Sequence, residues 1–164
     1  MSNIVIKKLT DRTKKKDITR FILEALPEWF EVAESREQYI RESVDKHFFA
    51  AYDIEDNNEN EADKPVGFLY LKQTGKDTVE LAVMGVLKEY HRHGVGRLLF
   101  EKAKADASEE GYSFMQVKTV EMGIYEDYDK TNLFYQSLGF KELEVFPTLW
   151  DEANPCQIYV MYLK

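Results

Sequence analysis

Cysteine is nearly absent: Cys156 is the single one among 164 residues. No intrachain disulfide can form, and no cysteine cluster can hold a structural zinc, which fits a reducing compartment and a cytoplasmic protein. Long apolar runs are missing too. No stretch approaches the roughly 18 apolar residues of a membrane span, and residues 1–17 carry lysines without an unbroken hydrophobic segment, so no membrane partner is expected. Positive charge is in deficit, with 22 Lys and Arg against 30 Asp and Glu and a formal net charge of -8. That balance leaves no basic face to replace counterions around phosphates, and nucleic acid is excluded as an expected partner. Glycine and proline are sparse, at 8 and 4 residues, and nowhere gather into a linker. With 44% hydrophobic residues and no internal repeat, the expectation is a single domain over residues 1–164.

What is present is unevenly distributed. Asp53, Glu55, Asp56, Glu59, Glu61 and Asp63 fall in one stretch without Lys or Arg, which reads as a solvated loop between two strands. Lys88, Arg92, Arg97, Lys102 and Lys104 face only Glu89 and Glu101 in their own segment. A local anion site can therefore sit on an acidic protein.

Residues 4–6 read as a short strand, 13–26 as a helix stopped by Pro27, and 34–44 as a second helix. Residues 47–52, 66–72 and 78–86 read as three strands of a meander, with Gly85 a candidate bulge or point of close backbone approach. Val95, Leu98, Leu99 and Ala103 recur at helical spacing over 95–109, and Gly111 is the stop. A strand at 113–120 follows. Then come a short helix at 129–138 with Asp129 as N-cap and Gly139 just past its end, and strands at 140–146 and 157–162. The order defines an α+β fold: a mixed, mostly antiparallel central sheet of six to seven strands flanked by helices.

Between Val86 and Leu98 a strand gives way to a helix through Tyr90-His91-Arg92-His93-Gly94-Val95-Gly96-Arg97. Such a junction leaves backbone N–H groups unpaired at the positive end of a helix, and its glycines let an anion approach the main chain. Phosphate is the natural ligand. A Rossmann or P-loop reading fails, since there is no third glycine at the right offset and no Gly-Lys-Ser/Thr. His91 and His93 have no third histidine in their own segment and no adjacent carboxylate cluster, so no metal is expected; they read as solvent-facing loop residues near phosphate.

The longer pattern, Val86 followed at fixed offsets by His91, Gly94 and Gly96, resembles the pyrophosphate motif of the GNAT (GCN5-related N-acetyltransferase) family. His91 stands where that family usually has Gln or Arg. The resemblance implies a GNAT-like acyl-CoA N-acyltransferase fold that takes acetyl-CoA as co-substrate, its pyrophosphate on His91, Arg92, His93, Gly94, Val95, Gly96 and Arg97. Pantetheine would lie along the main chain at Met84 and Val86 like an added strand.

Asp129 to Phe140 resembles the family's second signature, Phe-Tyr-x3-Gly-Phe, which puts Tyr135 in the position of its general acid. A phenol with a pKa of about 10 can protonate a departing thiolate without prior ionisation. On residue type alone, Tyr135 reads equally as a core aromatic. Where many members carry an Asn that holds pantetheine, this chain has Tyr128; Asn132 lies at the wrong offset. Glu80, eleven residues before His91, stands where some lysine-acetylating members carry a catalytic glutamate. It is a candidate base and equally a solvent-facing strand carboxylate. Cys156 reads as a buried small hydrophobe, so direct attack in a ternary complex is expected over an acyl-cysteine route.

The resemblance implies an acceptor pocket shaped by the segment Pro27-Glu28-Trp29-Phe30, for a primary amine on a small molecule, peptide or protein lysine. The chain could act alone or as a homodimer. The competing function is an acyl-CoA-binding sensor without turnover.

Overall fold

The computed structural model describes residues 3–54 and 64–163. Of the acidic stretch, residues 55–63 lie outside the described residues. Four α-helices and seven strands are present among those described: β1 (Ile4–Leu9), α1 (Arg12–Glu24), α2 (Ala33–Glu42), β2 (His47–Asp53), β3 (Pro65–Gln73), β4 (Thr78–Val86), α3 (Val95–Glu109), β5 (Phe114–Val120), α4 (Glu126–Ser137), β6 (Lys141–Asp151) and β7 (Asn154–Tyr162). The strands form one sheet in the order β1-β2-β3-β4-β5-β7-β6. The β1–β2, β2–β3, β5–β7 and β6–β7 ladders are antiparallel. The β4–β5 ladder is parallel, and a parallel pair needs a crossover, which α3 supplies. The expected α+β architecture with a mixed, mostly antiparallel sheet is what the chain adopts.

The chain forms two compact units: the described residues of Met1–Lys72 with Val83–Ala105, and of Gln73–Ala82 with Asp106–Lys164. In the first, α1 starts on a side-chain cap, the Asp11 carboxylate accepting from the Lys14 N–H at 3.0 Å. Its buried positions Lys15, Ile18, Thr19, Ile22 and Leu23 follow the spacing of one helix face. That face meets the sheet at Gly85, where a Cβ would come within 2.8 Å of Ile22 Cγ2 and 3.1 Å of Leu26 Cδ1. Gly85 is thus the point of close approach rather than ornament on a strand: only a missing side chain lets α1 seat so deeply. Phe48, Phe68 and Tyr70 stack beneath, with the first two rings 5.4 Å apart.

In the second unit, β7 is paired on both sides, by β5 and β6. Strand β6 runs well past the expected 140–146. Its side chains are mostly exposed, so no apolar alternation marks it, and it contains Pro147. An edge strand tolerates both features.

Helix α4 begins at Glu126, three residues before the expected start, and Asp129 is not its N-cap. Tyr125 holds that position without a side-chain bond, and Glu126, Asp127 and Asp129 place negative charge in the first turn, against the positive end of the helix dipole. The Asp129 carboxylate instead accepts the N–H of Gly123 at 2.7 Å, closing the preceding turn.

Candidate active site

In the first unit, β4 ends where Leu87 donates its N–H to the Val66 carbonyl at 2.9 Å. Neighbouring strand residues point their main-chain groups to opposite edges, so Val86, and Met84 two residues earlier, face away from β3. A short 3-10 turn, Lys88–Tyr90, leads into residues 91–94. There Arg92 has φ +65° and Gly94 φ +81°. A left-handed residue bearing a Cβ costs about 1–2 kcal/mol, and alternation of hands along a turn points successive N–H groups into one concavity suited to an anion. The first helical bond here is Leu98 N–H to Gly94 O at 3.0 Å, so the amides of Val95 and Gly96 lie in the first turn of α3, where a helix supplies no acceptor of its own. Above Gly94 the space is open: a Cβ there would meet nothing within 4 Å. Sequence reasoning found the glycines and missed the left-handed Arg92, which no residue type announces.

Three side chains of this loop, Tyr90, Lys88 and His91, fasten it within the same unit. Tyr90 donates its hydroxyl to Asp53 at 2.8 Å, and Asp53 is only 7% exposed. Lys88 forms an ion pair with Glu28 and holds that carboxyl below its usual range. His91 Nε2 sits 2.7 Å from the Val86 carbonyl, and its ring lies edge-on to Trp29 at 5.7 Å. A carbonyl only accepts, so Nε2 carries the proton. His91 is exposed as expected, but its imidazole is a fastener between loop and strand end. His93 is exposed and lies edge-on to Tyr90 at 6.2 Å, and Arg92 and Arg97 are also exposed.

In the second unit, the Tyr-x3-Gly-Phe signature is a helix stop. Gly139 has φ +105°, its N–H reaches Gln136 O at 3.1 Å, and the Phe140 N–H reaches Tyr135 O at 3.2 Å. These two bonds make a Schellman motif, whose usual hydrophobic contact is supplied by Tyr135 and Phe140, rings 5.9 Å apart and T-shaped. Tyr135 is 8% exposed, among Phe134, Phe140 and Tyr159. Burial pushes its phenol well above the ordinary value of 10.0.

Asn132, one turn before Tyr135, is fully buried and was missed as a fixture of the site. Its amide donates to Val120 O at 2.8 Å and Tyr128 O at 2.7 Å, while its oxygen accepts the Tyr159 hydroxyl at 2.7 Å. Gln136 donates to that hydroxyl at 3.1 Å. The network ties α4 to β5 and β7, and its polar atoms find partners despite burial.

Glu80 lies on the half-exposed face of β4 that also carries Met84 and Val86. Its side chain is 12% exposed, and one oxygen, Oε1, receives both Lys118 Nζ at 3.0 Å and Gln116 Nε2 at 3.1 Å. The parallel register, Glu80 opposite Gln116, brings these groups together. Cys156 is fully buried, and burial pushes its thiol up to about 11, so it is no thiolate near neutral pH.

Comparison with known proteins agrees with this architecture. The family model for the acetyltransferase (GNAT) domain matches residues 44–142. The chain belongs to the GNAT acetyltransferase family. A curated relative, an uncharacterized N-acetyltransferase of Chlorobaculum tepidum, is 36% identical over 80 residues, covering 47% of this chain and 45% of the relative; the chain thus matches about half of that protein. Among solved structures, a GNAT-family acetyltransferase of Desulfovibrio desulfuricans aligns over 99% of this chain and 100% of its own, with TM-score 0.79 and 18% identity. An aminoglycoside 6'-N-acetyltransferase complexed with coenzyme A aligns over 98% of this chain and 97% of its own, with TM-score 0.72 and 17% identity. At such identities these two structures speak for the fold. No helix among the described residues is long and apolar enough to cross a membrane.

Proposed function

We propose that this chain is an N-acetyltransferase that moves the acetyl group of acetyl-CoA to a primary amine by direct attack. The observation that carries the reading is the left-handed pair Arg92 and Gly94 at the entry to α3, with open space above the glycine. Family membership and the coenzyme A complex of the aminoglycoside 6'-N-acetyltransferase support it. The main-chain N–H groups of Arg92, Gly94, Val95 and Gly96 would take the pyrophosphate, the His93 N–H being bonded to the Tyr90 carbonyl at 3.3 Å, with the Arg92 and Arg97 guanidinium groups adding charge. Pantetheine would pair along the edge of β4 at Met84 and Val86. His91 uses one lone pair of the Val86 carbonyl, which leaves the second for that pairing.

The thioester supplies an activated acetyl carbon and a thiolate leaving group. Glu80 accepts a proton from the incoming ammonium through Oε2, the oxygen other than the one Lys118 and Gln116 engage. As the C–N bond forms and the C–S bond breaks, Tyr135 gives its phenolic proton to sulfur and regains one from the nitrogen of the new amide. The sum is one amide, one thiol and one proton left on the base. The acceptor class is an amine on a small molecule, peptide or protein lysine.

The test is a panel of primary amines incubated with acetyl-CoA and read by mass. Acetylation of at least one amine is expected, and Tyr135→Phe should lower kcat on the order of 10²-fold with coenzyme A affinity unchanged. Unchanged turnover in Tyr135→Phe would remove the acid assignment. Tight coenzyme A binding with no turnover on any amine would instead make the protein a sensor.

A further inference from the structure

The segment between α1 and α2 has little regular structure of its own. Its N-terminal side is turned by Trp29 and Phe30 N–H groups bonding the Leu26 carbonyl at 3.2 and 3.1 Å. Its C-terminal side is gripped by Arg36, which donates to Phe30 O at 2.7 Å and Glu31 O at 3.1 Å. The middle, Glu28 and Trp29, is held by the β4–α3 loop: Glu28 by the Lys88 ammonium and Trp29 by a T-shaped contact with the His91 ring. His91 is itself pinned to the end of β4 through Val86. Lys88 and His91 stand in the 3-10 turn and at its end, immediately before Arg92 and Gly94, so a ligand that stiffens the Arg92–Gly94 turn also stiffens the two groups that grip residues 28 and 29.

We propose that Glu28 and Trp29 are positioning residues that transmit occupancy of the anion loop to residues 27–32. This rests on the reading of the loop as a pyrophosphate site. Both contacts are local to one compact unit. Neither residue needs to touch the ligand. The ion pair is half-exposed and the ring contact is single, so the transmitted effect is modest, a change of roughly fivefold in local opening.

Amide hydrogen exchange on the full chain tests this with adenosine 3′-phosphate 5′-diphosphate, which carries the pyrophosphate but no pantetheine arm and so cannot reach along β4. In the parent protein, saturation should slow exchange in peptides over 88–96 and, by roughly fivefold, over 27–32. In Glu28→Gln combined with Trp29→Leu, the probe should still slow 88–96 while 27–32 no longer respond. Trp29→Phe with Glu28 intact keeps an aromatic ring and should retain most of the response, which separates lost coupling from a damaged fold. Equal protection of 27–32 in the double variant, or protection of 88–96 alone in the parent, would overturn the proposal. Failure of the probe to protect 88–96 in the parent would overturn the pyrophosphate reading, and this inference with it.

Discussion

Tyr135, the proposed acid, is also a structural post. Its ring closes the Schellman motif against Phe140, and its phenol is held protonated by burial. Below pH 10 the group is neutral in folded and unfolded chains alike and adds no pH dependence to stability. Above about pH 10 the unfolded tyrosine ionises while the folded one keeps its proton, so stability falls as pH rises. Tyr70 is raised by burial in the same way. Thermal melts between about pH 9 and 11 should therefore show an alkaline loss that Tyr135→Phe reduces and does not abolish; an identical slope in both proteins would contradict the burial argument. In the reaction, kcat should show no alkaline limb from Tyr135 below about pH 10. Tyr135, the proposed proton donor, stood out in the sequence because its motif is local. Asn132 was not: Leu133 beside it is more than half exposed while Asn132 is fully buried, so hydropathy pointed to the wrong face of α4. The partners of Glu80 were hidden for another reason, since a parallel register between distant strands brings Gln116 and Lys118 to it.

At the scale of elements, two glycines carry different constraints and should fail differently. Gly139→Ala has room, the nearest atom being Met161 Cε at 3.7 Å, but φ +105° strains any Cβ-bearing residue. It should cost about 1–2 kcal/mol in urea unfolding. Gly85→Ala has an ordinary backbone and no room, with Ile22 Cγ2 at 2.8 Å, and should cost about 1–3 kcal/mol through overpacking of α1 on the sheet. A neutral result at either position would contradict the corresponding contact. The ends of α3 and β4 match their expected positions because each is set by local chemistry, a glycine turn or a clean alternation of buried and half-exposed residues. The start of α4 and the length of β6 do not. The first was displaced by an aspartate that caps a turn instead of a helix, the second by an edge position where exposure erases the pattern.

For the whole molecule, a formal charge of -8 does not oppose an anionic ligand. Charge is screened over about 8–10 Å at ordinary ionic strength, so at the proposed pyrophosphate site the local charge of the turn and its arginines outweighs the sum over the chain. Element order was readable throughout, because most of the helices and strands carry their own periodicity or end on a glycine or proline, and so was the glycine turn that leads into α3. The identity of an acceptor was not, since no motif in the sequence is tied to one. The measurement that bears most directly on the central claim is calorimetric titration of coenzyme A into the parent protein and into Gly94→Asp. Asp tolerates a left-handed backbone and meets open space there, so the fold should persist, while its carboxylate stands where the pyrophosphate would approach. A loss of affinity of about tenfold or more is expected. Unchanged affinity in a folded Gly94→Asp protein would contradict the central claim.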